Sequence, residues 1–239
     1  MDQHAHAQTP RSHWQPITGL DGVWEIRRVH GPLPLRAVAV QLQPGWVCVY
    51  SPVPHMGGEA LQELSKLGAP ILLAPNAFHT LGLREHLRAF PDALVVASTK
   101  AAHRVERKTK LRIEPISALE EKASANVSVL QLPPLRSGEV WLSVRSADTC
   151  AWIVCDAFLN LPRAPSGGLG VIFKALGMGP GLSISSSFRW MLKNRKAYRD
   201  WLLARIAEDQ PTTLAPSHGQ IIQDPELPRL LERLVRERL

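Results

Sequence analysis

From Gly22 onward the chain alternates short apolar runs with glycine and proline punctuation. "GVWEIRRVH" (22–30), "RAVAVQL" (36–42) and "GWVCVYSPV" (45–53) are rich in β-branched and aromatic residues, which predicts an opening antiparallel meander. The period then changes. "HMGGEALQELSKLG" (55–68) spaces its apolar residues as a helix does and stops at Gly68. The strand "APILLAP" (69–75), the helix "GLREHLRAF" (82–90), the strand "ALVVAST" (93–99) and a second short helix near Lys100 come next. "ISALEEKA" (116–123) suits a turn or helix. "VSVLQLP" (127–133), "EVWLSVRS" (139–146) and "CAWIVCDAFL" (150–159) predict three more strands, the last ending at Asp156. One helix over 188–209 and the amphipathic "RLLERLVRERL" (229–239) complete the pattern. Strands first, then helices between strands, fit a layered α/β domain.

Composition narrows this picture. At 239 residues and 45% hydrophobic, the chain can bury one sizeable core, so 16–239 is expected to be a single domain and the polar, His-bearing 1–15 a mobile tail. No apolar run reaches the ~18 residues of a membrane span, and "MDQHAHAQTPRSHWQP" has no signal-peptide core. The expectation is a cytoplasmic protein with no membrane partner. Cys48, Cys150 and Cys155 form no CxxC pair and sit among apolar neighbours, as buried strand thiols do.

The formal net charge of +7 raises nucleic acid or an anionic ligand as partner. The basic residues gather in "KAAHRVERKTKLR" (100–112), "FRWMLKNRKAYRDW" (188–201) and the C-terminal helix, without zinc-finger spacing or an RNA-binding aromatic signature. That argues against nucleic acid and for solubility or a small anionic ligand. "GMGPG", with Gly177, Gly179 and Gly181, imitates a dinucleotide loop but succeeds no N-terminal strand of a βαβ unit, so it is expected to be a lid or turn. The apolar "GVIFKALG" before it either covers a pocket or fills core.

Three apolar strands run into loops that present a polar residue: "LLAPNAFH" with His79, "AWIVCD" with Asp156 and "TTLAPSHG" with His218. Two imidazoles and a carboxylate are a ligand set for Zn²⁺ or a similar ion with one position left for water. Such triples are common in a chain with nine histidines, and the plain alternative is three strand-end residues satisfied by hydrogen bonds. His86 and His103, in helical and basic contexts, are expected to be solvated. Trp24, Trp46, Trp141 and Trp152 are expected in core or sheet faces. Trp190 and Trp201 are expected to pack one helix.

The order of these stretches resembles the metallo-β-lactamase superfamily. Its loop motif His-x-His-x-Asp-His, laid on "APNAFHTLGL", falls at Ala74, Asn76, Phe78 and His79. Its intermediate His falls near Leu135 in "PPLRSGEV". Its bridging Asp falls at Asp156, and its terminal Gly-His-Gly at "SHG" with His218. "YSPVP" (50–54), "FPDALVVAS" (90–98) and the Pro-Asn-x-x-His loop look like a branch of unknown function within that superfamily.

The resemblance implies a four-layer αββα sandwich and a degenerate centre. The first metal site loses all three imidazoles, to Ala74, Asn76 and Leu135. The second keeps His79, Asp156 and His218 and loses its motif Asp to Phe78. The remaining set holds either one divalent ion (zinc, manganese or iron) or no ion. The first case is a mononuclear hydrolase of an ester, lactone, thioester or phosphoester, with His79 at the reacting centre, Asn76 donating to a developing oxyanion, and Arg136 or Lys100 attracting an anionic substrate. The second is a metal-free binding or structural protein in which Asp156 pairs with His218 and Phe78 fills the ion's place.

Overall fold

The computed structural model describes residues 13–30, 33–147, 149–163 and 167–239. His4 and His6 and most of the expected tail lie outside them. The end of that segment is anchored instead of mobile. Trp14 is buried, donating its indole N–H to the Ala60 carbonyl (3.0 Å), and His13 Nδ1 lies 2.6 Å from Glu63 Oε1.

The first half of the chain forms a seven-stranded sheet in sequence order. β1 (Gln15–Pro16), β2 (Val23–His30), β3 (Leu33–Gln41) and β4 (Trp46–Tyr50) pair antiparallel, as the meander predicts. After α1 (Gly58–Leu67) the connections become parallel crossovers: β5 (Ala69–Ala74), α2 (Leu83–Ala89), β6 (Leu94–Ala97), α3 (Thr99–Thr109), β7 (Glu114–Pro115) and the short α4 (Ser117–Glu120). β5 reads as a continuous apolar run because both its faces are covered. Ile71 and Leu73 point into the core between the sheets, while Leu72 and Ala74 point into the core under α1 to α3.

The second half builds the facing sheet, ordered β14-β13-β10-β9-β8. Its members are β8 (Val127–Gln131), β9 (Val140–Ser146) and β10 (Thr149–Val154), then β13 (Thr213–Pro216) and β14 (Ile222–Gln223) beyond an excursion. The excursion holds β11 (Leu159–Leu161), α5 (Gly167–Ala175), β12 (Gly181–Ser183), α6 (Ser186–Met191) and α7 (Arg195–Asp209); α8 (Leu227–Arg238) closes the chain. Val140, Leu142, Ala151 and Ile153 meet the first sheet, and Trp141, Trp152 and Val154 lie on the outer face under α7 and α8. Helices, sheet, sheet, helices: the four-layer αββα sandwich is the observed architecture.

Three local expectations change. The helix expected over 188–209 is two. Leu192 is drawn into a bridge with Leu135, and Asn194 caps α7 by accepting the Ala197 N–H at 3.0 Å. His86 is fully buried, not solvated: its Nδ1 bonds the Gly82 carbonyl (2.9 Å), and desolvation lowers its pKa so that it stays neutral. Trp201 packs with Trp141 and Tyr198, but Trp190 is 69% exposed, its ring 4.6 Å from the Arg136 guanidinium. All three cysteines are free and buried, as expected. Among the described residues no helix is long and apolar enough to cross a membrane.

Candidate metal centre

β5, β10 and β13 end on the same rim of the sandwich, and the loops after them deliver His79, Asp156 and His218 to one point. The β5 loop is shaped by Asn76, which is fully buried. Its Oδ1 accepts the backbone N–H groups of Phe78 (2.8 Å) and His79 (3.1 Å), an Asx-type turn that aims His79 inward. Ser51, held at φ 55° just after β4, places its hydroxyl 2.8 Å from His79 Nδ1.

The β10 loop is held by Glu139, a fully buried carboxylate just before β9. Its Oε1 accepts the Trp141 indole N–H (2.8 Å) and the backbone N–H groups of Cys155 and Ala157 (3.2 Å each). Its Oε2 accepts that of Asp156 (3.1 Å). The β13 loop is held by the buried Arg36, whose guanidinium donates to the carbonyls of Pro216 and Gly219 (2.7 Å for Gly219). Gly219 has φ +101°, and a Cβ there would lie 2.0 Å from the Asn160 carbonyl oxygen, so only glycine can succeed His218.

The three donor atoms form a near-equilateral triangle. His79 Nε2 to Asp156 Oδ1 is 3.3 Å, His218 Nε2 to Asp156 Oδ1 is 3.3 Å, and the two Nε2 atoms are 3.2 Å apart. Outside the triangle the contacts are shorter. Asn76 Nδ2 donates to Asp156 Oδ2 at 2.7 Å, and His218 Nδ1 donates to the Pro34 carbonyl at 3.1 Å. A carbonyl only accepts, so His218 Nδ1 carries a proton and a neutral ring turns its Nε2 lone pair inward.

Electrostatics distinguish the two carboxylates. Burial opposes ionisation of Asp156, but the adjoining His79 and His218 outweigh it and hold its carboxyl well below the usual range. Glu139 is pushed up to about 7, by burial and then by the charge of Asp156. Cys155 Sγ also lies within 4.8 Å of the His79 and Asp156 donors, yet burial raises its thiol well above its ordinary value and leaves it a neutral neighbour of Asn76.

The sequence-derived candidates thus separate. His79, Asp156 and His218 converge. Asn76 does not face open space: its Nδ2 is engaged by Asp156 and Cys155, so it braces the carboxylate and has no donor left for an oxyanion. Phe78 does not fill the ion's place. It is 38% exposed, stacked under Arg104 (4.5 Å), and with Leu35, Ser51, Pro52, Val53 and Leu81 it lines a small pocket of about 50 Å³ beside His79. Arg136 is occupied by Trp190, and Lys100 lines a different cavity. Ser51, Glu139 and Arg36 escape the sequence reading. The available signals were Ser51 at a strand end and a lone carboxylate opening the apolar run "EVWLSV".

Comparison with solved structures places this architecture. The DIM-1 metallo-β-lactamase superimposes with a TM-score of 0.61 over 94% of this chain and 97% of its own, at 12% identity. The fold is that of the metallo-β-lactamases. A metallo-β-lactamase from Pontibacter korlensis gives a TM-score of 0.59 over 95% and 99% of the two chains, at 12% identity. A mutant flavo di-iron protein from Thermotoga maritima, at 14% identity and a TM-score of 0.59, matches over 95% of this chain; the chain spans 62% of that protein's length. No family model matches the sequence, and no curated protein does. Ala74 and Leu135, where the resemblance sets two imidazoles of the first site, are closed by packing: Ala74 is buried under the helices of the first sheet and Leu135 under those of the second.

Proposed function

We propose that the chain is a degenerate metallo-β-lactamase-fold hydrolase that holds one divalent ion, zinc, manganese or iron, on His79, Asp156 and His218, and cleaves an ester, lactone, thioester or phosphoester. The single observation that carries this reading is the triangle. Donors around a tetrahedral ion with bonds of about 2.0 Å sit about 3.3 Å apart, which is the spacing here. A direct charge-assisted His–Asp hydrogen bond would be nearer 2.7–2.9 Å, roughly the length that Asn76 makes to the same carboxylate. The solved neighbours carry metals in their names, which supports a metal-dependent scaffold.

Each residue has a physical task. Asp156 supplies the one anionic donor, beside the neutral imidazoles of His79 and His218. His218 is oriented by the Pro34 carbonyl and His79 by Ser51, the outer hydrogen bonds that fix tautomer and ring plane in metal sites. Asn76 occupies the second carboxylate oxygen, so Asp156 serves one ion and not two. A divalent ion supplies Lewis acidity there, polarising a carbonyl or phosphoryl oxygen and making water a better nucleophile at neutral pH. The Leu35, Pro52, Val53, Phe78 and Leu81 side chains give the approach to His79 an apolar wall, suited to an uncharged acyl or alkyl group beside the scissile bond.

The test is elemental mass spectrometry on untagged protein lacking residues 1–12, beside a His218→Ala variant. Near-stoichiometric metal that is lost in the variant supports the reading and opens ester, lactone and phosphoester screening. Absence of metal from both, after incubation with zinc, manganese or iron, overturns it in favour of a metal-free binding protein.

A further inference from the structure

One strand further along the rim lies a second cavity, of about 270 Å³, between the start of α3, the loop before β9 and the segment just after α6. Thr99, Lys100, Gln131 and Lys193 contribute polar groups to its wall, and Leu132, Leu135 and Val140 contribute apolar surface. Ser98 fixes the near wall, its hydroxyl donating to the Gly138 carbonyl at 2.6 Å. The far wall is fixed by backbone pairing of Lys193 N–H with the Pro134 carbonyl and by the Leu135–Leu192 bridge. The cavity is therefore framed by backbone, not by mobile side chains.

Among the described residues neither lysine is ion-paired with a carboxylate. Nor can the neighbouring sequence neutralise Lys193, because residues 157–199 contain no Asp or Glu while carrying Lys174, Arg189 and Arg195 as well. The one carboxylate in the cavity lining, Glu139, accepts the indole N–H of Trp141 and three backbone N–H groups, so its oxygens are already engaged. Two lysines lining one concave, partly apolar wall make its positive field stronger than that of the same charges on a flat surface.

We propose that this cavity is a binding site for an oxyanion, the phosphate or carboxylate group of a small molecule, held by Lys100 and Lys193. The cavity shares its rim with the metal triangle but does not depend on an ion being bound there.

Inorganic phosphate titrated into the full chain at constant ionic strength, followed by amide chemical shifts, tests it. Saturable binding is expected, with the largest shifts at 98–100 and 131–140. The double variant Lys100→Ala/Lys193→Ala should weaken it at least about tenfold, whereas Lys100→Arg/Lys193→Arg should retain it. Both lysines are exposed, so an unchanged melting temperature excludes misfolding as the cause. His218 is not among the residues that line the cavity, so His218→Ala should leave phosphate affinity within about twofold. Absence of saturable binding overturns the proposal. So does the reverse pattern, in which the lysine double variant binds normally and His218→Ala does not, because phosphate then sits at the triangle.

Discussion

The two halves of the strand-end rim put equivalent positions to different uses. On the β5, β10 and β13 side, three polar residues face one another at 3.2–3.3 Å and every outer hydrogen bond holds them apart from other partners. On the side of Ala74, Asn76 and Leu135, two positions are apolar core and the third is a buried amide that satisfies four polar groups around it. Positions along one rim therefore divide by environment: Ala74 and Leu135 are closed by packing, and Asn76, which touches Asp156, is closed by hydrogen bonds.

Changes in the open half should have the largest effect. Asp156→Asn removes the anionic donor and should lower metal affinity by more than about 100-fold, measured by competition with a chelating dye. Retention of tight binding would show that the triangle is not the ion's site. Next comes Asn76→Ala at the boundary of the halves. It leaves the second Asp156 oxygen and two backbone N–H groups without their partner, and should cost about 2 kcal/mol in denaturant unfolding. A loss of affinity with no loss of stability would instead mean that Asn76 itself touches the ion. Ser51→Ala acts only through the His79 ring and should weaken metal binding by about tenfold with stability nearly unchanged.

The smallest effect is a titration. Glu139 at about 7 lies above its unfolded value, so the folded state binds more protons between the two values. Its contribution to stability is fully present below the unfolded pKa and is lost as pH rises through about 7. The amide resonances of Cys155, Asp156 and Ala157 should shift together with a midpoint near 7. Asp156 has the opposite sign: its stabilisation is present above its unfolded pKa and is lost only in strong acid. Independent midpoints for the three amides would detach Glu139 from the loop it is seen to hold.

Much of the fold is legible in the sequence because its signals are local. The meander from Gly22, the buried run of β5 and the amphipathic α8 each declare themselves by spacing. Where local reading fails, a distant contact is responsible. The helix over 188–209 breaks because Leu192 pairs with Leu135, and His86 is buried because its face of α2 packs onto the first sheet. Phe78, which the metal-free alternative sets in the ion's place, finds a cation partner in Arg104 on α3 and is 38% exposed.

The sequence by itself determined which residues stand at strand ends, that two imidazoles and one carboxylate are among them, and that the layers are mixed α and β. These properties come from periodicity, turn residues and chemical type, all of them relations among neighbours in the chain. Tertiary structure alone decided that Asp156 and His218, which lie 77 and 139 positions beyond His79, meet it at 3.3 and 3.2 Å. It also recruited Ser51, Glu139 and Arg36 to hold them. The physical reason is that donor distances, tautomers and burial depend on which loops the packed sheets bring together, and no spacing along the chain encodes them.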